Sequence, residues 1–165
     1  MIVNPVIKIL ARTDGSVTAI IEALTGDEAR IRTLKKELIR ADEEIAERLQ
    51  ISPGDEVNLR VVEILSRGEI FAVATSLIPL RRVPEGLRDD LLGADEPIGK
   101  LIRKHKLEVR REILHSEIRE VEGTGRALIR NYNIIFRGEI LMNITEVFPI
   151  SVFERIIGES LQSSS

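Results

Sequence analysis

A lone charge on an apolar strand face restricts a fold more tightly than composition does, and this chain places two. Arg60 lies in the run Leu59-Arg60-Val61-Val62, and Glu146 in Ile144-Thr145-Glu146-Val147-Phe148-Pro149. Side chains alternate along a strand, so Arg60 should project with Val62 and Ile64, and Glu146 with Ile140, Met142 and Ile144. An isolated buried charge is costly. The two must therefore pair with each other or answer a polar ligand in a closed pocket. A Pro97-Ile98-Gly99 turn lies between them in sequence.

Length and charge set the outer bounds. A chain of 165 residues fits one domain and buries about two thirds of its unfolded surface. The absence of cysteine removes disulfides and thiolate metal sites and suits a reducing cytoplasm, the expected location. With 24 basic and 27 acidic residues and a net charge of -3, no basic field gathers nucleic acid. No apolar run approaches the roughly 18 residues of a membrane span, and the N-terminus lacks a signal-peptide pattern. Neither nucleic acid nor membrane is expected as a partner. Residues 1–162 read as one undivided domain, with Ser163 to Ser165 as an unstructured tail.

Periodicity outlines the elements. Ser16 can cap a helix carrying Val17, Ile20, Ile21 and Leu24 on one stripe, ended by Gly26. Arg30 to Ile39 alternates as a strand. Asp42 can cap a helix with Ile45 and Leu49 inward, closed by Pro53-Gly54. Glu56 to Leu65 and Ile70 to Ile78 are β-branched runs around Ser66-Arg67-Gly68-Glu69, a hairpin pattern. Pro84 to Leu92 and Pro97 to Lys104 read as short helices. Leu107 to Val121, Ala127 to Arg137 and Glu139 to Phe148 return to strands, and Ser151 to Gly158 closes as a helix. Strands in hairpins, broken by short helices, imply an antiparallel α+β sheet with helices packed on it.

Several chemistries find no support. There is no Gly-x-Gly-x-x-Gly run after a strand and no phosphate loop, so no nucleotide cofactor is expected. His105 and His115 lack a partner at ligand spacing, and no metal is expected. No serine sits in a nucleophile elbow. Tyr132 shares a face with Leu128, Ile134 and Phe136, as a core tyrosine would.

Gly15-Ser16-Val17-Thr18 opens the first helix, Arg60 stands nineteen residues before Pro79, Pro97-Ile98-Gly99-Lys100 forms a basic-ended turn, and Thr145-Glu146-Val147-Phe148-Pro149 ends the last strand. In order and spacing these segments resemble the chorismate pyruvate-lyase family, in its compact archaeal and mycobacterial form and its bacterial 4-hydroxybenzoate-forming form. The resemblance covers most of the chain. It implies a single-domain α+β fold, a six-stranded antiparallel sheet with short helical flaps over an internal ligand pocket. It also implies cofactor-free elimination of pyruvate from chorismate to leave 4-hydroxybenzoate. Arg60 would hold the ring carboxylate, and Glu146 the ring hydroxyl. Val17, Thr18, Ile98 and Gly99 would bind substrate through walls and main-chain donors. The partner would be an aromatic or enolpyruvyl carboxylic acid.

The chain departs from the bacterial pattern at two places. Thr75 stands where those relatives carry a second arginine, and Val61 where they carry glutamate. Arg81, Arg82, Arg110 and Arg111 are the nearest substitutes by motif. Alternation allows at most one of Arg110 and Arg111 to face a pocket, and their glutamate neighbours suggest a solvated strand face. Two alternatives stand beside the lyase reading. Arg60 and Glu146 could form a structural ion pair across the sheet. The segment from Ala41 to Leu49 with Pro53-Gly54-Asp55-Glu56-Val57 also resembles the effector-binding domains of GntR-type regulators, which bind a metabolite without converting it. Fewer than about twenty residues precede the helix at Ser16, too few for a winged-helix domain.

Overall fold

Two tight hairpins organise the sheet. Arg67-Gly68 and Arg137-Gly138 both adopt positive φ, at 53° and 75° and at 52° and 76°, the two-residue turn whose twist matches paired strands. The first joins β2 (Glu56–Ser66) to β3 (Glu69–Pro79), the second β5 (Gly125–Phe136) to β6 (Glu139–Pro149). With β1 (Arg30–Arg40) and β4 (Arg110–Val121) at the edges, the six strands form one sheet of order β1-β2-β3-β6-β5-β4. Every neighbouring pair is antiparallel. This computed structural model describes residues 4–93 and 95–163.

Among the described residues, six α-helices accompany the sheet: α1 (Pro5–Arg12), α2 (Val17–Thr25), α3 (Glu43–Leu49), α4 (Glu85–Gly93), α5 (Ile98–Lys104) and α6 (Ile150–Ser163). Ser16 caps α2, its hydroxyl accepting from the Ala19 amide, and Gly26 ends the helix in the left-handed conformation at φ 69°. Asp42 caps α3 by accepting from Ile45. The sequence reading missed α1, although Asn4-Pro5 is a helix-start signal. The Asn4 side chain accepts from Val6 at 2.8 Å, and Pro5 takes the first turn, where no amide is needed. At the other end, α6 runs through Ser163, the first residue of the expected tail. Ser164 and Ser165 lie outside the described residues.

One sheet face carries the main core. Residues of α1, α2, α4, α5 and α6 pack with the inward side chains of β2, β3, β5 and β6. Phe153 of α6 sits edge-on to Phe71 at 5.1 Å and to Phe148 at 6.1 Å. The opposite face is covered at one end by α3, whose Ala46 and Leu49 meet Val57, Leu77 and Ile140. Of the two α3 residues expected inward, Leu49 is buried and Ile45 half-buried. Ile140 corrects another expectation, that it shares the Glu146 face. The register passes from Ile134 opposite Met142 to Ile135 opposite Ile140, so Leu141 is an extra residue on β6, and past this bulge Ile140 points the other way. No helix among the described residues is long and apolar enough to cross a membrane.

Phe153 is fully buried and closes α6 onto the sheet. Phe153→Ala should cost about 3 to 5 kcal/mol through lost burial and the cavity left behind. Urea denaturation checks this: a loss below about 1 kcal/mol would mean that α6 is not part of the cooperative core.

Candidate functional site

The inward face of the sheet opens into a narrow cavity, about 490 Å³ of space with its mouth and the adjoining solvent included. Its floor is built by alternation. β2 presents Arg60, Val62 and Ile64, β3 presents Ala74 and Ser76, β5 presents Tyr132 and Ile134, and β6 presents Ile144 and Glu146. Ser16, Val17 and Thr18 from the start of α2 and Pro97, Ile98 and Gly99 from the start of α5 close it. All six expected site residues, Arg60, Glu146, Val17, Thr18, Ile98 and Gly99, therefore meet at one cavity. First-turn helix amides have no partner within their helix, so both helix starts can offer main-chain donors there. The approach at Gly99 is close: a Cβ there would lie 3.2 Å from the Ser16 hydroxyl and 3.9 Å from Arg111 Nη2.

The two lone charges do not pair with each other, the alternative that the sequence left open. Arg60 is 1% exposed and has no carboxylate at ion-pairing distance among the described residues. Its Nη2 donates to the Glu96 carbonyl at 2.7 Å, while Nε is buried without a hydrogen-bond partner. Burial lowers its pKa, opposed by the more distant charge of Asp95. The proposed ion pair between Arg60 and Glu146 is absent because register gives Glu146 a nearer partner, Arg130, directly across on β5. Arg130 Nε lies 3.3 Å from Glu146 Oε1. The two are close enough to attract but misaligned, so both atoms remain without a hydrogen bond. Glu146 Oε2 accepts from the Tyr132 hydroxyl at 3.1 Å. Tyr132 is thus both core and cavity wall.

Burial raises the pKa of Glu146, against the opposing pull of Arg130, the Tyr132 hydrogen bond and Arg111. Tyr132 is itself pushed far up, first by burial and then by the Glu146 charge. Its phenol therefore stays a donor.

Arg111 is the substitute cation that reaches the cavity. Arg110 points away and pairs with Glu112 at 3.1 Å, so alternation was right that one of the two faces inward, and the solvated-face reading fails for Arg111. Arg81 is an exposed partner of Asp55, and Arg82 is occupied by the carbonyls of Leu49, Gln50 and Ile140. Thr75 and Val61, the two departures from the bacterial pattern, are cross-strand neighbours. Both face away from the cavity, on the side of Leu59 and Leu77. An arginine at position 75 would miss the site, and β4 supplies the second guanidinium instead. Arg130 was missed, although it stands alone in the apolar run Leu128-Ile129-Arg130, the pattern that singled out Arg60.

The roof is tied down by polar contacts. Lys100 of α5 reaches Glu22 at 3.3 Å, Glu28 at 3.2 Å and the Ala29 carbonyl. Asp95 accepts from Thr33 at 2.7 Å, and His105 meets Asp90 at 2.6 Å to join α5 to α4. Surface contacts of this kind are individually weak. Among the described residues, no cluster of acidic or imidazole side chains could hold a metal ion.

Comparison with known proteins gives a family and a fold. The family model described as "Chorismate pyruvate-lyase Rv2949c-like" matches residues 11–156. A Methanocaldococcus jannaschii protein named "Putative lyase MJ0807" is 36% identical over 157 residues, covering 87% of this chain and 77% of its own. The chorismate pyruvate-lyase of Mycobacterium tuberculosis is 23% identical over 164 residues, covering 91% and 82%. Among solved structures, the effector domain of PhnF from Mycobacterium smegmatis superposes with a TM-score of 0.67 at 18% identity, over 82% of this chain and 88% of that one. That likeness is one of fold.

Glu146 makes stability depend on pH. Its folded pKa lies above the ordinary 4.5, so over the interval between them the unfolded chain has released a proton that the folded chain keeps. Stability should then fall as pH rises through that interval and be flat below it. Glu146→Gln should flatten the profile. Denaturation midpoints that fall equally in both proteins would assign the dependence to another group.

Proposed function

The chain belongs to the chorismate pyruvate-lyase Rv2949c-like family, and we propose that it is a cofactor-independent lyase that eliminates pyruvate from chorismate and leaves 4-hydroxybenzoate. The observation that carries this reading is the unpaired, buried Arg60 set in one cavity with Arg111 and Glu146. Such a site suits a ligand with two carboxylates and a hydroxyl. In the reaction the ether bond to the enolpyruvyl group breaks, the ring loses a proton, and the leaving enolpyruvate gains one to become pyruvate. Aromatisation supplies the driving force. The protein need only orient the ring and neutralise charge.

Arg60 would take the ring carboxylate, for which its planar fork is better suited than a lysine. Arg111 would meet the enolpyruvyl carboxylate near the start of α5. Glu146 Oε1, still without a hydrogen bond, would accept from the ring hydroxyl while Tyr132 holds Oε2. The amides of Val17, Thr18, Ile98 and Gly99 would complete the shell. A second reading, favoured by the PhnF-like fold, is a module that binds an aromatic acid and does not convert it.

Purified protein incubated with chorismate, without added metal or nucleotide, separates the two. Stoichiometric pyruvate and 4-hydroxybenzoate are expected. Binding without turnover would select the second reading. Arg60→Ala should weaken 4-hydroxybenzoate binding by about 2 to 5 kcal/mol, because the ligand carboxylate loses its charged partner. Unchanged affinity in a calorimetric titration would remove Arg60 from the site. Glu146→Gln should keep aromatic-acid binding and lose most turnover. Arg111→Met should weaken chorismate binding more than 4-hydroxybenzoate binding, since only the former has a second carboxylate.

A further inference from the structure

Arg130 does not line the cavity, yet it is fully buried, and every feature of its placement leads to Glu146. Its Nε lies 3.3 Å from Glu146 Oε1. Its Nη1 donates to the Leu10 carbonyl and, at 3.1 Å, to the Thr13 carbonyl, both at the C-terminal end of α1. Its guanidinium stacks 4.9 Å above the Tyr132 ring, whose hydroxyl holds the other Glu146 oxygen. A helix C-terminus carries partial negative charge and favours a cation. α1 is held there by the buried Ile7 and Leu10. One end of Arg130 is therefore fixed by a docked helix, and the other faces the carboxylate.

We propose that Arg130 is a positioning residue, which uses the end of α1 as its anchor to keep the Glu146 carboxylate charged and aimed into the cavity. A carboxyl group buried this deeply would otherwise favour its neutral form. The charged and titratable groups facing Glu146 are Arg130 and Tyr132 from β5, Arg111 from β4 and, across the cavity, Arg60 from β2. At the cavity α2 and α5 present Ser16, Val17, Thr18, Ile98 and Gly99, none of them titratable. Arg130 is the member of this set within ion-pairing distance of Glu146. Helix α1, which carries none of the expected motifs, thereby becomes part of the site. The assignment rests on the proposed lyase reaction only for its effect on rate.

The experiment is a pH titration of the ligand-free protein with carbon-13-labelled glutamate, the Glu146 signal being identified by its loss in Glu146→Gln. In Arg130→Met the Glu146 midpoint should rise by about 1 to 3 pH units, the usual effect of removing an adjacent opposite charge. In Arg130→Lys, which keeps the charge but cannot span both α1 carbonyls, it should return most of the way while the melting temperature stays lower. The acid limb of chorismate turnover should move with the midpoint. An unchanged midpoint in Arg130→Met overturns the proposal even if chorismate is turned over. A raised midpoint in a protein that does not turn over chorismate upholds it and rejects the lyase reading. If Arg130→Met does not fold, the Arg130 Nε nitrogen signal decides. It must shift at the Glu146 midpoint in the wild type and lose that step in Glu146→Gln. A signal indifferent to Glu146 overturns the proposal.

Discussion

The cavity holds more guanidinium than carboxylate, and the rest of the structure is arranged around that imbalance. Arg60 and Arg111 line it with a single acid, Glu146, and Arg130 stands behind that acid, outside the lining. Arg130 and Glu146 face each other, which leaves Arg60 and Arg111 to be answered. A buried guanidinium with an unsatisfied Nε is costly in a resting protein. Stability alone would favour an apolar side chain there. The proposed carboxylate ligand would answer it.

The antiparallel register makes this arrangement possible. Across the sheet, Arg60 aligns with Ser76, then Ile144, then Tyr132, and the next inward row runs Val62, Ala74, Glu146, Arg130. Arg60 and Glu146 thus stand in adjacent rows, separated by the width of β3. That spacing keeps them from pairing. Small side chains at Ala74 and Ser76 leave the space between the two charges unfilled. The helix starts of α2 and α5 then close over it, with Gly99 permitting the close approach to Ser16.

Much of this was legible in the sequence. Alternation placed Arg60 and Glu146 inward, turn residues located both central hairpins, and caps at Ser16 and Asp42 located two helices. What escaped depended on pairing between distant segments. Ile140 reads as an inward residue until the bulge at the neighbouring Leu141 is known, and a bulge leaves no mark in hydrophobic pattern. Thr75 counted as a lost arginine by motif position, but strand parity turns it to the far face beside Val61. Arg111 was masked by its charged neighbours, because local sequence cannot show that β4 brings one side of that run against Gly99. Arg130 and α1 were legible in principle, the first as a lone charge among apolar residues and the second from Asn4-Pro5. Their connection was not, since it joins chain positions more than a hundred residues apart, Leu10 and Arg130.

A crystal structure with 4-hydroxybenzoate tests the site most directly, because the ligand has one acidic and one phenolic end and must choose an orientation. The unpaired Arg60 requires the carboxylate at its guanidinium, including the free Nε, with the hydroxyl at Glu146 Oε1 and the ring over Ala74 and Ile144. Density for the ligand in the reverse orientation would contradict this. So would a ligand bound only in the open cleft beside Arg81 and Arg137, with Arg60 still donating to Glu96 and nothing else.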